Sequence, residues 1–253
     1  MNIGLVSYEF INKDLSFNLK QIEKAMRAVS DKVDLLCFGE CFLQGFDALS
    51  WNFDRDKRIA LSQDNRIFQN LCALTLQYDT DLLFGYLELF EDKIYSSCML
   101  IEKGKIVHNY RRISQGWKDP DYADEHYAEG SETEPFSYKD KELQIALCGD
   151  LWGHPRSFKT DGLLLWPVYV NFTKEEWEKE MPEYAEQSLI ASRKVCMINS
   201  LSRDPVSVGG AFCFEDGKLV NEPIFEVENI LIVGYEDLPD FPVEETIAEG
   251  PIL

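Results

Sequence analysis

Short apolar runs alternate along this chain with longer stretches whose apolar positions recur every three or four residues. Residues 2–7 (NIGLVS) read as a strand. Residues 17–30 read as an amphipathic helix, because Phe17, Leu19, Ile22, Met26 and Val29 fall on one face. A strand follows at 33–38, then a helix over about 58–78 and a strand at 82–88. Residues 94–112 form two antiparallel strands joined at Lys103-Gly104-Lys105. Further strands are expected at 143–148 and 161–165. The acidic stretch 173–181 and the stretch 183–194 are expected as two helices divided by Pro182, since proline suits a first helical turn and not a helix interior. Strands at 195–201, 208–214 and 229–234 complete the series.

Strand–helix alternation followed by hairpins predicts a layered α/β fold with mixed sheets. No linker, low-complexity tract or internal repeat divides the chain, so one domain over residues 1–253 is expected. The last segment, 235–253, carries Glu236, Asp237, Asp240, Glu244, Glu245 and Glu249 with no Lys or Arg. Its Leu238, Phe241, Val243 and Ile247 suit packing on a partner subunit, and its charge suits a flexible tail equally well.

Composition narrows the function classes. A hydrophobic content of 45% and an aromatic content of 13% suit a packed core. The net charge of −20 opposes a nucleic-acid partner, which needs a cationic footprint. No run approaches the ~20 apolar residues of a membrane span, and the N-terminus lacks the basic flank and apolar core of a signal peptide. The seven cysteines are odd in number and contain no CxxC pair, which is the usage of a reducing cytoplasm. His108, His126 and His154 stand far apart and away from the cysteines, so no metal site is expected.

Three polar residues stand where apolar strands end. Glu40 follows the second strand among Phe38, Cys41, Phe42 and Phe46, so apolar surroundings would make it a base. Arg111 and Arg112 end the fifth strand, and alternation sends one inward if the other points out. Cys148 ends a later strand in IALCGDLWGHP. A cysteine there is either a small core residue or a nucleophile. A carboxylate, a guanidinium and a thiol at three strand ends make one candidate site.

FGECFLQGF, YRRIS and LCGDLW resemble, in order and rough spacing, the three signature segments of the nitrilase superfamily, the carbon–nitrogen hydrolases. NIGLVS, FGYLELFEDKIYSSCMLIEKGKIVHNYRR and GGAFCFEDGKLV extend the resemblance over nearly the whole chain. The resemblance implies a four-layer α-β-β-α sandwich, assembled as a homodimer or higher homo-oligomer. It also implies hydrolysis of a small amide-like substrate through a cysteine thioester, with no cofactor. Glu40 then matches the general base and Cys148 the nucleophile. Arg112 stands where the family's catalytic lysine would be, and Ser114 replaces a usual histidine. Lys118, beyond Gly116, is the alternative source of the cation. Glu125 or Asp124 would supply the family's second carboxylate, the N–H of Gly149 would bind an oxyanion, and Asp150 and Trp152 would either shape the mouth or serve a structural role. The lysine replacement leaves a second reading open: an inactive homologue that binds a small ligand or serves as an interaction subunit. Trp51, Phe53, Trp117, Tyr122, Tyr127, Trp152 and His154 either line a pocket or pack the interior.

Overall fold

The computed structural model describes residues 1–30 and 32–235 in full and residues 243–248 by their backbone. It contains two mixed sheets. The first runs in the order β13 (Val243–Ala248), β12 (Asn229–Gly234), β1 (Asn2–Ser7), β2 (Leu35–Cys37), β3 (Asp81–Phe90), β4 (Lys93–Glu102) and β5 (Lys105–Arg111). The second runs β11 (Lys218–Leu219), β10 (Val206–Glu215), β9 (Lys194–Arg203), β8 (Leu163–Val168), β7 (Lys141–Ile145) and β6 (Phe136–Tyr138). Each sheet has a parallel centre, β1–β2–β3 in one and β7–β8–β9 in the other, flanked by antiparallel strands. Parallel strands are buried on both faces, which explains why their sequences are almost continuously apolar.

Alternation along each strand divides its side chains between two layers of core. Leu5, Cys37, Leu83 and Cys98 face Leu143, Ile145, Leu165 and Met197 across the space between the sheets. Val6, Leu36, Phe84 and Met99 face outward against helices α1 (Leu15–Val29) and α3 (Arg66–Tyr78). Asp14 caps α1 through the N–H of Phe17 at 3.0 Å, and Asn65 caps α3 through that of Ile67 at 3.0 Å. Helix α5 (Lys174–Ala191) covers the far side of the second sheet with Trp177 and Tyr184, completing the α-β-β-α order of layers. Among the described residues, no helix is long and apolar enough to cross a membrane.

Two sequence expectations need correction, and one segment left open is placed in part. The helix expected over 58–78 begins only at Arg66; only the short α2 (Phe53–Asp56) precedes it. Leu61 instead pairs with β3, its N–H on the carbonyl of Leu87 and its carbonyl taking the N–H of Leu89, both at 3.0 Å. Pro182 does not divide α5, which is one helix opened by a capping box of Thr173 and Glu176. An interior proline costs a helix about 3 kcal/mol. Trp177 and Tyr184, almost fully buried, bury about 150–250 Å² each, enough at ~25 cal/mol per Å² to offset that cost. Pro182 and Glu178 are exposed, so water can take the carbonyl that the missing N–H leaves free. Finally, residues 243–248 of the expected tail form the edge strand β13 on β12. The rest of that tail, 236–242 and 249–253, lies outside the described residues.

Candidate active site

The chain leaves β2 in a tight turn that carries Glu40 into the interior, where it is fully buried. Gly85 on β3 makes this possible. A Cβ there would stand 2.7 Å from the Cα of Glu40, so the turn lies directly on the bare backbone. The turn is pinned on two sides: Gly85 donates to the carbonyl of Gly39 at 3.2 Å, and Glu40 donates to the carbonyl of Val168 at 3.2 Å. Glu40 therefore sits where the ends of β2 and β8 meet, between the sheets. Its Oε1 accepts from Ser96 Oγ at 2.8 Å and from Arg112 Nη1 at 2.9 Å. Its Oε2 is buried without a partner among the described residues.

The alternation expected at Arg111 and Arg112 is resolved by two buried glutamates on opposite faces. Arg111 forks onto Glu88 through Nε and Nη2, both at 2.8 Å, while Ser97 supports Glu88 at 2.7 Å. Arg112 turns inward to Glu40, its side chain 2% exposed, and donates from Nε to Ser114 Oγ at 2.8 Å. Burial works against the guanidinium's charge, but the Glu40 carboxylate, acting together with Cys148 and Asp150, holds the group above its ordinary range. Arg112 is thus a permanent cation here.

Cys148 lies three residues beyond β7, in a turn that continues the sheet's bonding. Its N–H reaches the carbonyl of Pro167 at 3.0 Å, and its carbonyl accepts from Trp166 Nε1 at 2.9 Å. The turn holds Cys148 at φ +39°, a left-handed conformation unusual for a side-chain-bearing residue and common at functional sites. The thiol is partly buried and lies 3.8 Å from the carbonyl of Tyr169. Burial, then the nearby Glu40 carboxylate, push it up to about 12, although Arg112 pulls the other way. At neutral pH Cys148 therefore rests as a thiol. Alkylation of Cys148 should climb about tenfold per pH unit between about pH 7 and 10, with no plateau, as the thiolate fraction grows. Glu40→Gln should move that curve to lower pH by removing the neighbouring negative charge. A plateau below about pH 9 in the wild-type profile would contradict this electrostatic picture.

Asp150 ties the arginine segment to the cysteine turn. It opens the short helix α4 (Asp150–Gly153) and is fully buried. Its Oδ1 accepts the N–H groups of Ile113 at 3.1 Å and Ser114 at 2.8 Å. Its Oδ2 accepts Tyr110 Oη at 2.6 Å and the N–H of Leu147 at 2.8 Å. With its lone pairs so occupied, Asp150 fastens two chain segments together, the structural one of the two roles open to it.

Other expected site residues fall elsewhere. Lys118 is bound to the carbonyl of Tyr127 at 3.1 Å and paired with Glu129, so Arg112 is the cation on Glu40. Glu125 is exposed, and Asp124 is turned to His126 at 3.0 Å. Neither meets Glu40, because the loop's bulk is anchored instead through Tyr127, whose hydroxyl reaches Asp56 at 2.7 Å. Trp51, Trp117 and Tyr127 form a small core of their own, with ring centroids 5.2 and 6.2 Å apart. Trp152 is 40% exposed and meets Tyr184 edge-on at 5.0 Å. Ser96, which orients Glu40, was not singled out in the sequence, and Ser114, noted there only as standing in place of a histidine, is the residue that holds Nε of Arg112. The signal for the first was a Ser-Ser pair inside the apolar strand IYSSCML. Among the described residues, no cluster of three or more His, Cys, Asp or Glu is placed to hold a metal ion.

Residues 2–158 match the carbon-nitrogen hydrolase family model. A glutamine-dependent NAD(+) synthetase of Thermotoga maritima is 28% identical over 145 residues, which are 55% of this chain and 24% of that protein. The structure of a glutamine-dependent NAD+ synthetase from Acinetobacter baumannii superposes with a TM-score of 0.76 at 16% identity, covering 100% of this chain and 48% of that one. A nitrilase-superfamily amidase from Nesterenkonia superposes with a TM-score of 0.75 at 15% identity, over 96% of this chain and 91% of its own. The chain thus spans about a quarter of the first synthetase and about half of the second.

Proposed function

The chain belongs to the carbon–nitrogen hydrolase family, and on that premise we propose that it hydrolyses a small linear amide or ureido compound through a thioester on Cys148. One observation carries the reading. Glu40 and Arg112 form a buried ion pair whose carboxylate keeps an oxygen unpartnered among the described residues and whose charges act on the Cys148 thiol.

In this reading Glu40 takes the thiol proton on Oε2 as sulfur attacks the carbonyl carbon. The S–C bond forms, and the carbonyl π pair moves onto oxygen, opposite Arg112 and the N–H of Gly149. Glu40 then passes its proton to the leaving nitrogen as the C–N bond breaks, and an amine or ammonia departs. Water attacks the thioester and gives a proton to Glu40. The S–C bond breaks, the acid leaves, and the proton returns to sulfur. Arginine cannot release a proton at these pH values, so Glu40 carries every transfer.

The amide class is supported by the Nesterenkonia amidase of the same fold, and the similarity to the glutamine-dependent synthetase of Thermotoga puts terminal carboxamides first among compounds to try. Ammonia release should be measured on glutamine, short aliphatic amides and ureido acids, with mass spectrometry of the Cys148 peptide after acid quench. The expected result is release from at least one compound and a matching acyl adduct on Cys148. A folded protein that gives neither across about pH 6–9 sinks the proposal. It would favour a ligand-binding homologue, the reading to which arginine in the lysine position and a protonated thiol point.

A further inference from the structure

The guanidinium of Arg112 uses only two of its three nitrogens on the protein. Nε serves Ser114 and Nη1 serves Glu40; among the described residues Nη2 has no acceptor. Its surroundings show why it is free. A Cβ at Gly149 would overlap Nη2 and come within 3.4 Å of Cζ, and a Cβ at Gly116 would stand 3.2 Å from Nη2. Nη2 therefore fills a slot that two glycines from separate segments leave empty. One of them, Gly149, directly follows Cys148, and the other, Gly116, is exposed. A planar fork is wider than an ammonium on a single stem. This chain has no side chain at the two positions where that width would collide.

The geometry points to Arg112 Nη2 as the donor to the anionic oxygen that develops when Cys148 attacks a carbonyl, with Gly149 and Gly116 as the positioning residues that admit it. The inference rests on the proposed thioester chemistry and adds to it the atom and the slot. Nη1 holds the base while Nη2, rigid with it, faces the backbone next to the nucleophile. One planar group thus sets the distance between base and oxyanion. Such preorganised donors act most strongly where charge appears only during reaction. The slot is needed by an arginine and not by a lysine, whose single nitrogen has no second branch to accommodate.

The test is a double-mutant cycle read by stopped-flow acylation with p-nitrophenyl acetate, whose p-nitrophenolate burst reports attack at Cys148. Gly149→Ala and Gly116→Ala are each made with Arg112 and with Arg112→Lys, and thermal melts confirm that each variant folds. Gly149→Ala should slow acylation about 100-fold with Arg112 present, the loss typical of an oxyanion donor. With Arg112→Lys the same change should cost less than about threefold, and Gly116→Ala should follow the same pattern more weakly. Because Gly116 is exposed, its variant remains informative if Gly149→Ala fails to fold. Equal losses in the two backgrounds for both glycines would overturn the slot while leaving the thioester reading intact. A wild-type protein with no burst on Cys148 would overturn that reading, and this inference with it.

Discussion

Cys148→Ala is expected to reduce turnover by about ten-thousand-fold or more, the scale seen when a nucleophile is removed from a covalent mechanism. The loss should be this deep because no other thiol can substitute. Cys37, Cys98, Cys196 and Cys213 are buried in the core, and Cys72 lies on α3. Cys41 lies close enough to Cys148 for their charges to interact, but burial, together with the adjacent Glu40, holds its thiol well above the ordinary range. It is also turned onto Ser96 at 3.6 Å. The variant should keep the wild-type melting temperature, since alanine loses only a partly buried sulfur, although the left-handed backbone there suits neither residue. The check is ammonia release alongside the mass of the Cys148 peptide. Retention of even a tenth of the activity would mean that the nucleophile has been misassigned.

The second large effect is expected at Asp150, and it should appear in stability as well as rate. Asp150→Ala strands the N–H groups of Ile113, Ser114 and Leu147 and the hydroxyl of Tyr110. A buried donor left unmade costs about 1–3 kcal/mol. Water entering the gap would satisfy some of the four, so a loss of about 3–5 kcal/mol is expected from urea unfolding. Because Ser114 also holds Nε of Arg112, the rate should fall with kcat affected more than KM. Asp150→Asn keeps the shape and two acceptor lone pairs, and should retain more of both. A destabilisation below about 1 kcal/mol for Asp150→Ala would show that the segments are held together by other contacts.

These two residues differ in how they could be read from sequence. Cys148 was legible because a strand-ending cysteine in LCGDLW joins Glu40 and Arg112 in a recognisable order. Asp150 was legible as a residue of interest, but its four partners are spread over residues 110–147 and belong to no local pattern. The choice between Arg112 and Lys118 likewise stayed open until Lys118 was found on Glu129. The positions of Asp124 and Glu125 were equally hidden, since their loop is anchored through Tyr127 on Asp56, 71 residues away in sequence.

Periodicity sufficed for most strands and for α1, because apolar spacing is imposed by burial on one or two faces and needs no knowledge of the partner. It failed at 58–65 and at Pro182, where the deciding terms were the pairing of Leu61 with β3 and the burial of Trp177 and Tyr184. Those terms depend on elements distant along the chain. The sequence by itself determined the alternating α/β order, the charge, and which carboxylate, guanidinium and thiol stand at the strand ends. Only the tertiary structure decided which arginine turns inward and, among the described residues, which carboxylate oxygen is left without a partner and which nitrogen of the fork is free. Side-chain direction follows from local geometry, but the partner that waits in that direction is supplied by the packing of one sheet on the other.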